Sequence, residues 1–400
     1  MSEFDALLGK YTKQDNPQVH GVICKCVDRT GTEIYSKVAG HTSLAPDSPP
    51  LHEDAVLKLA SATKLITSIA LLQCVDQGLI TLDQPLTTIL PELDAIEILT
   101  DVVGGQCTYA PSTTPITARH LLSHTSGLGY RFTHRLLGLR AEARANQPTS
   151  LQVTERYAMP LVFEPGTGWL YGCSLDWAGV VVSRLHEGIS LGDYFVEHIW
   201  KPLGLSSPFP RFNIARHPEY QARLMQGTQR TADGRLESLD RWAFDNDEDQ
   251  EGGCGLAGTS KDFLAVLADL VSETPTLLAR STVAEMFTPQ LEPEVDSVQI
   301  QMLLGLRSAW GTVAGPIADD AVNYGLGGLL CLGPVPEIGQ PKGVLAWGGA
   351  TNVVWWANRE LGVAGFFATQ QAPFGNPTAT KLVNAWKKDF WRQYNAIELP

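Results

Sequence analysis

The chain has 400 residues, with 44% hydrophobic and 18% charged side chains, which is the composition of an ordinary globular protein of one large domain or two to three small ones. Its formal net charge of −13 argues against a nucleic-acid partner and an anionic membrane surface, because both need clustered lysine and arginine. No run of eighteen apolar residues occurs in the sequence, so we expect no membrane span.

The first part of the chain alternates helical and extended patterns. Residues 1–16 predict a helix that starts near Ser2, and the runs 21–27 and 33–38 predict the two strands of a hairpin. The apolar run 57–78 predicts a helix that ends at its last glycine. The N-terminus lacks a basic segment followed by an apolar core, so we expect no signal peptide. Seven cysteines without a C-x-x-C pair indicate reduced thiols and a cytoplasmic location.

The middle of the chain, from about residue 100 to 255, mixes long loops with helical runs over 177–186 and 191–200. Helical periodicity is strong over 260–287, and the late part of the chain then predicts four strands and a last helix. The strands are expected over 325–332, 343–347, 352–357 and 363–369, and the helix over 378–393. Short turns between the late strands predict an antiparallel sheet.

This order of elements predicts an α+β fold that forms a single unit. We expect residues 1–95 and 256–400 to form a subdomain whose antiparallel sheet takes strands from both ends of the chain and is flanked by the terminal helices. Residues 96–255 are expected to form a mostly helical subdomain inserted between them.

A single S-x-x-K motif, from Ser61 to Lys64, lies near the start of the apolar run 57–78. A serine three residues before a lysine on a helix shares its face, one turn away. An amine beside a hydroxyl is one way to make a weak nucleophile reactive. The tetrapeptide alone is equally typical of a helix N-terminus with an incidental lysine, so its surroundings decide between the two interpretations.

A nucleophile of this kind also needs a second proton carrier and an oxyanion hole. Tyr171 lies in a glycine-flanked loop, residues 168–174, directly before a helical run. A phenol at such a position either points into a cleft or packs the loop, and packing is the more common role. The W-G-G-A motif at 347–350 lies between two predicted strands, where paired glycines indicate either a close backbone approach to a ligand or a tight turn.

Four motifs follow one another along the chain: L-A-S-A-T-K at 59–64, H-L-L-S-H-T-S-G-L at 120–128, Y-G-C-S-L-D-W-A-G at 171–179 and W-G-G at 347–349. In this order they resemble the serine β-lactamase and penicillin-binding-protein superfamily. Within it the chain is most similar to the class C-like esterases and the fungal lovastatin-type acyltransferases. The resemblance covers nearly the whole chain and implies a β-lactamase/transpeptidase-like fold.

The resemblance also implies roles for individual residues. Ser61 matches the nucleophile, Lys64 the lysine that assists its deprotonation, and Tyr171 the tyrosine that exchanges protons with the nucleophile and the leaving group. The backbone N–H groups of Ser61 and Ala350 match the oxyanion hole. Tyr324 is expected to line the cleft, with ordinary packing as the alternative. The implied mechanism is acylation of Ser61, followed by attack of water or an alcohol on the acyl-enzyme.

Two departures from the family pattern bear on the substrate. Penicillin-recognising enzymes have Lys-Thr-Gly where this chain has Trp347-Gly348-Gly349, and the missing lysine argues against β-lactams as main substrates. The usual Tyr-x-Asn ends here in Cys173, a poor replacement for an amide, and Ser174 is a candidate for the polar contact instead. Trp347 indicates an apolar acyl or polyketide-like group.

We therefore expect a serine acyl-enzyme hydrolase or acyltransferase that acts on a small-molecule ester or thioester of secondary metabolism. A carrier-bound acyl donor is one option for the thioester. The alternatives are a β-lactamase or D-alanyl peptidase, and a non-catalytic binding protein on the same fold. No cofactor and no metal is expected, because the sequence has no HExxH motif and no Cys/His cluster.

Three further features are interpreted as structural. The G-x-S-x-G string at 188–192 follows a helical run rather than a strand, so we expect a helix–helix turn and not a nucleophile elbow. His124 invites a Ser/His interpretation, but we expect it to hold a loop by hydrogen bonds. The acidic stretch 245–251 is expected to be a solvated loop.

Overall fold

The computed structural model describes residues 2–147 and 150–398. Its helices pack around and beside one large sheet. They are α1 (Glu3–Tyr11), α2 (Thr63–Asp76), α3 (Ala118–Leu122), α4 (Arg135–Ala143), α5 (Val153–Arg156), α6 (Ser174–Leu185), α7 (Leu191–Phe195), α8 (Pro218–Gln221), α9 (Ser260–Val271), α10 (Arg280–Met286), α11 (Val298–Gly305), α12 (Arg307–Ala314) and α13 (Pro377–Glu398). A 3₁₀ turn, Ala60–Ala62, precedes α2, and a π-helical turn, Val196–Trp200, extends α7.

The strands form one large sheet and several short pairings. They are β1 (Gly21–Asp28), β2 (Glu33–Gly40), β3 (Leu57–Lys58), β4 (Glu97–Val103), β5 (Gln106–Pro111), β6 (Thr228–Arg230), β7 (Leu236–Ser238), β8 (Ala257–Gly258), β9 (Val322–Tyr324), β10 (Leu329–Cys331), β11 (Val344–Gly349), β12 (Val353–Asn358), β13 (Val363–Ala368) and β14 (Gln371–Ala372). The main sheet has the order β2-β1-β13-β12-β11-β10-β9, and all its neighbouring strands are antiparallel. The prediction of an antiparallel sheet built from both ends of the chain is confirmed.

The sheet is covered on both faces, which explains why its central strands are apolar along their whole length. Side chains that follow one another on a strand point to opposite faces. On β12, Trp355 contacts Phe263 of α9, with ring centroids 6.4 Å apart, whereas Trp356 contacts Trp386 of α13 at 6.1 Å. The helices α9 and α13 therefore cover opposite faces, and the site lies where β11 ends between them and the helical region.

Several element boundaries differ from the predictions. The first residues of the run 57–78 form β3 and the 3₁₀ turn, because they pair with β8 before α2 begins. Gly78 does follow the end of α2, with φ at +71°. The run 260–287 is two helices, α9 and α10, separated at Pro275. The run 325–332 is not one strand, because the glycine-rich turn 325–328 joins β9 to β10.

The middle region, 96–255, contains α3 to α8 and also two pairs of strands that its helical prediction did not include. The strands β4 and β5 form a hairpin, and β6 pairs with β7. β6 also runs parallel to β14, which follows the main sheet in the chain. The middle region is thus tied to the sheet at this point, and the division at residues 95 and 255 stays a prediction.

Two other sequence features have a clear outcome. Ser190, in the G-x-S-x-G string, is the N-cap of α7, where its hydroxyl accepts from the backbone N–H of Asp193, which confirms the helix–helix turn. The expectation for 245–251 was wrong, because Glu251 is fully buried and binds Arg156, with 2.7 Å between the charged atoms. Among the described residues, no helix has the length and apolar character to cross a membrane.

Candidate active site

The segment that carries Ser61 has a strained backbone. It leaves β3, forms the 3₁₀ turn Ala60–Ala62 and enters α2, so Ser61 lies half-buried at the start of the helix. Ala60, directly before it, has φ at +45°, a conformation that costs a residue with a side chain about 1–3 kcal/mol. Such strain persists only where surrounding contacts fix it, and it is common at catalytic residues.

Those contacts come from the end of the main sheet. The backbone N–H of Lys58 donates to Oε1 of Gln370 at 3.0 Å, and Nε2 of Gln370 donates back to the Lys58 carbonyl at 3.0 Å. The Thr351 hydroxyl donates to the same carbonyl at 2.8 Å. Gln370 is fully buried, and sequence analysis did not identify it, since its partner lies 312 positions earlier. These bonds fix the Ser61 segment against the sheet.

The two glycines that end β11 allow close backbone approach, Gly349 to the Ser61 segment and Gly348 to β12. A Cβ atom on Gly349 would lie 2.2 Å from the carbonyl oxygen of Leu59, and one on Gly348 would lie 2.5 Å from that of Val353. Close backbone approach, rather than the turn alone, therefore explains both glycines. Ala350 follows directly and is exposed. Its neighbours on both sides are held to residues 58 and 59, which keeps this turn close to the segment that carries Ser61.

Gly349→Ala is expected to disturb this approach. The added Cβ forces β11 away from Leu59, so the Ala350 N–H moves away from Ser61, and we expect kcat to fall about 100-fold. Steady-state kinetics and thermal unfolding would measure the effect. Gly9→Ala is the control, because a Cβ at this position of α1 meets no atom within 4 Å. Wild-type kcat in Gly349→Ala would contradict this role of the close approach.

Lys64 is buried on the first turn of α2 and is held by two hydrogen bonds. Its Nζ donates to the carbonyl of Gly253 at 2.8 Å and to the hydroxyl of Tyr130 at 3.1 Å. Burial lowers the pKa of Lys64, but the negative charges of Tyr171, when ionised, and of Asp176 outweigh it, so its pKa lies above the ordinary value. The structure therefore favours a charged ammonium at this position.

Tyr171 lies next to Lys64, as the two predicted roles require. Nζ of Lys64 is 4.8 Å from the centroid of the Tyr171 ring. The loop before α6 positions this ring, which also contacts Trp347 at 5.1 Å and Tyr130 at 5.6 Å between centroids. Trp347 is 2% exposed and reaches this cluster from β11. The structure thus brings together Lys64, Tyr171 and Trp347 at the end of β11, beside Ser61.

The two remaining candidate residues lie in different surroundings. Tyr324, at the end of β9, is 1% exposed and contacts Trp347 with 5.5 Å between ring centroids, so it belongs to the aromatic cluster. Ser174 is fully buried at the start of α6, and its hydroxyl shares a hydrogen bond of 2.8 Å with that of Ser126. Through this bond, the Ser174 hydroxyl joins the loop 120–128 to α6.

The model of the β-lactamase family matches residues 14–387 of the chain. The chain belongs to the β-lactamase family. Acyltransferase calJ of Penicillium decumbens is 67% identical over 418 aligned positions that cover 100% of both chains. The lovastatin esterase of Penicillium rubens is 34% identical, with 96% of each chain covered. These relatives confirm the resemblance to the fungal lovastatin-type branch of the family.

A solved structure supports the same assignment. A mutant of simvastatin synthase (LovD) from Aspergillus terreus matches with a TM-score of 0.87 and 31% sequence identity, covering 98% of this chain and 97% of the other. The predicted β-lactamase/transpeptidase-like α+β fold is therefore confirmed. As a member of this family the chain is an enzyme, and the roles of its individual site residues stay predictions.

His124 does not act in this β-lactamase-family enzyme as the sequence suggested. Its ring was expected to hold a loop by hydrogen bonds, but both ring nitrogens are buried without a hydrogen-bond partner among the described residues. The ring instead packs against Tyr171 at 5.0 Å and Tyr324 at 5.6 Å. Burial and the nearby Lys64 charge hold the pKa of His124 well below its usual value, so the ring is neutral. Within the part of the chain that the structure describes, the hydrogen bonds of His124 come from its backbone, whose carbonyl accepts from the N–H of Leu170 and whose N–H donates to the carbonyl of Leu121.

Three buried side chains behind Lys64 have the spacing of a metal site. Oxygen and sulfur atoms of Asp176, Glu251 and Cys254 lie within 4.8 Å of one another. The carboxylates, however, already face the cations Lys64 and Arg156, and burial raises the pKa of the Cys254 thiol well above its usual value. A protonated thiol is a weak ligand. We interpret the group as part of an ion-pair network.

Two cavities of the protein lie away from the site. One of about 650 Å³ lies between the end of α9 and α10, and one of about 180 Å³ lies beside Lys58 and Asp245. Neither is lined by Ser61, Lys64 or Tyr171. We locate the site by the chemistry of its side chains, because acyl transfer requires the nucleophile and its proton carriers.

Proposed function

We propose that this enzyme is a serine acyltransferase that moves an acyl group from a thioester or ester donor to an alcohol. The observation that carries the proposal is the convergence of Lys64 and Tyr171, with 4.8 Å from Nζ to the ring centroid, beside the strained Ser61 segment. One ammonium and one phenol next to a serine hydroxyl are the groups that a Ser-Lys-Tyr acylation uses.

The mechanism has two steps that share the same residues. Tyr171 takes part as the phenolate, whose charge the Lys64 ammonium stabilises. Oγ of Ser61 attacks the acyl carbonyl and gives its proton to the phenolate oxygen. The backbone N–H groups of Ser61 and Ala350 bind the oxyanion of the tetrahedral intermediate. The C–S or C–O bond of the donor then breaks, and the leaving group takes the proton. In the second step an alcohol attacks the acyl-enzyme and gives its proton to Tyr171. The bond between the acyl group and Oγ of Ser61 then breaks, Oγ takes the proton from Tyr171, and the ester leaves.

The proposed acceptor is a polyketide-like alcohol, and the proposed acyl group is apolar. Trp347 supports this choice, because its indole takes the position at which penicillin-recognising enzymes carry a lysine. Transfer is proposed over hydrolysis, since the relative with 67% identity is called an acyltransferase, and the one with 34% identity an esterase. The direct test is to supply an acyl donor with and without alcohols and to measure ester and free acid. Ester formation that exceeds hydrolysis supports transfer, whereas free acid alone would make the enzyme an esterase.

A carrier-bound or coenzyme-bound thioester is the proposed donor. Support comes from an arginine segment (Arg131, Arg135 and Arg144) that is exposed and has no partner for its side chains among the described residues. Phe132, 76% exposed, stacks on Tyr130 at 5.2 Å, and Tyr130 contacts Lys64. Arg131 directly follows Tyr130 in the chain. An unpaired cation at this position, in a chain of net charge −13, suits the phosphate of a phosphopantetheine arm.

The double variant Arg131→Glu/Arg135→Glu tests this donor. We expect kcat/KM to fall about 10-fold for a coenzyme A thioester, because the reversed charges repel its phosphates, and to change little for a phosphate-free thioester of the same acyl group. Lys388→Glu, an exposed charge reversal on α13, should change neither value. Equal losses for both thioesters, or none, would contradict a phosphate-bearing donor.

We also propose a cytoplasmic location. All seven cysteines are unpaired thiols, and six of them are buried. Free cysteines in this number are typical of a reducing compartment. Localisation of the tagged protein in the producing cell would test this, and a secreted product would contradict it.

A further inference from the structure

Asp176 lies directly behind the predicted proton carriers, and the mechanism above gives it no role. It is the third residue of α6, five positions after Tyr171, and is 1% exposed. Oδ1 accepts from the backbone N–H of Gly253 at 2.8 Å, and Oδ2 accepts from the hydroxyl of Tyr130 at 3.3 Å. A buried carboxylate is costly unless it is paired and hydrogen-bonded, so this one needs a nearby cation.

The cation is Lys64, and the same two groups join it to Asp176. Lys64 donates to the Tyr130 hydroxyl and to the Gly253 carbonyl, while Tyr130 and the Gly253 N–H donate to Asp176. The result is a closed ring of hydrogen bonds, which we call the Asp176 network (Lys64, Tyr130, Asp176 and Gly253). An ammonium has three N–H donors, so the network leaves one. The centroid of the Tyr171 ring lies 4.8 Å from Nζ.

We propose that Asp176 is a positioning residue, which acts through Tyr130 and Gly253 to keep Lys64 charged and to direct its remaining N–H toward Ser61 and Tyr171. Gly253 fits this role, because a Cβ atom there would lie 2.5 Å from Oδ2 of Asp176, so no other residue leaves the ring of bonds intact. The inference rests on the proposed function, since it assigns Lys64 a part in acylation.

Two cations and two carboxylates lie in and beside the Asp176 network, and their charges balance when all four are ionised. The first pair is Lys64 and Asp176. The second pair is Arg156 and Glu251, with 2.7 Å between their atoms. The titratable groups that face Asp176 from the neighbouring elements are Lys64 of α2, Tyr130 of the loop after α3, Arg156 and Tyr157 at the end of α5, Cys173 before α6, and Glu251 and Cys254 of the loop before β8. Burial raises the pKa of Tyr130 well above its usual value, so its hydroxyl keeps the proton that it donates to Asp176.

The charge of Asp176 has a definite effect on pH dependence. Asp176 raises the pKa of Lys64, so its removal lowers that pKa, and Lys64 then loses its proton at a lower pH. Burial in turn raises the pKa of Asp176 to about 7, although Lys64 opposes this. In the wild type, activity should therefore decline as the pH falls and Asp176 is protonated, and decline again at high pH as Lys64 is deprotonated.

Asp176→Asn tests the proposal, because the amide oxygen keeps the acceptor for the Gly253 N–H, whereas the charge and the acceptor for the Tyr130 hydroxyl are lost. We expect kcat for acyl transfer to fall about 10- to 100-fold with little change in KM. The alkaline limb of the kcat profile should move to lower pH by about one unit or more, and the acidic limb should disappear. The control is Asp269→Asn, a buried carboxylate of α9 that binds the N–H groups of Thr276 and Leu277. It should lower stability and leave the pH profile unchanged.

A carboxylate in the first turn of α6 also stabilises that helix, so lost stability alone does not decide between the two roles. An Asp176→Asn profile with both limbs at their wild-type positions would overturn the proposal, whatever the loss of activity. If this variant does not fold, Tyr130→Phe gives the same test, with the alkaline limb again expected at lower pH and an unchanged limb overturning the proposal. The acyl adduct on Ser61, measured by intact mass, distinguishes failure of the Asp176 proposal from failure of the proposed function. Absence of the adduct in the wild type would contradict the proposed function itself.

Discussion

Ser61→Ala is expected to reduce turnover of a thioester or ester donor by about 10⁴-fold or more, because no other group in the cluster forms the acyl-enzyme. Ala replaces only the hydroxyl, and residues 60–62 already form a turn rich in alanine, so the fold should be unaffected. Release of the donor's leaving group under steady-state conditions measures the effect.

Ser68→Ala is the matched control for this variant. Ser68 lies on the same helix, is fully buried, and donates its hydroxyl to the carbonyl of Lys64 at 2.7 Å. Losing this local bond should cost about 1 kcal/mol of stability and little activity. Ser61→Ala with activity close to that of Ser68→Ala would show that the nucleophile is a different residue.

Tyr171→Phe should lower kcat about 1000-fold, since it removes the phenol that takes and returns the serine proton. The ring contacts with His124 and Trp347 remain, so thermal unfolding should stay near that of the wild type. Lys64→Ala should cost as much activity, but it also leaves Asp176 without its cation, which costs about 3–5 kcal/mol of stability. Tyr171→Phe is therefore the sharper test of proton transfer.

The control for this variant is Tyr194→Phe. Tyr194 is fully buried outside the site, and its hydroxyl donates to Gln73 at 3.2 Å. It should keep wild-type kcat and lose a small amount of stability. If Tyr171→Phe lowers kcat by about 10-fold or less, the phenol is excluded as the main proton carrier.

Local patterns carried the parts of the fold and the site that were predicted correctly. Apolar runs and short turns predicted β11, β12 and β13 and their antiparallel order, which the main sheet confirms, whereas the run 325–332 was wrongly predicted as one strand. The three-residue spacing of Ser61 and Lys64 needed only the start of α2 to be helical, and it survives the 3₁₀ turn before that helix. Motif order then identified the family, which the match over residues 14–387 confirms.

The partners of these residues were not accessible from local patterns. Tyr130, Gly253 and Gln370 act through contacts 66, 189 and 312 positions apart, and no local pattern encodes such contacts. Tyr130 follows the loop motif 120–128 by two residues, which is the one signal that could have indicated it.

Polarity was also a poor guide to burial. The stretch 245–251 is acidic and was expected to be solvated, yet Glu251 is buried because Arg156 and the hydroxyl of Tyr157 satisfy its carboxylate. His124 was expected to be hydrogen-bonded, yet its ring lies among aromatic side chains. In both cases the environment depends on elements that are distant in the chain, and the sequence around the residue carries no trace of it.

The most direct test of acyl transfer through Ser61 is the intact mass of the protein after mixing with a short acyl thioester, with wild type and Ser61→Ala measured side by side. A Ser61 acyl-enzyme predicts a transient gain of one acyl group on the wild type, located on Ser61 by peptide mapping, and a faster loss of that group when an alcohol acceptor is added. An adduct of equal size on Ser61→Ala, or turnover by the wild type with no acyl group on Ser61, would contradict it.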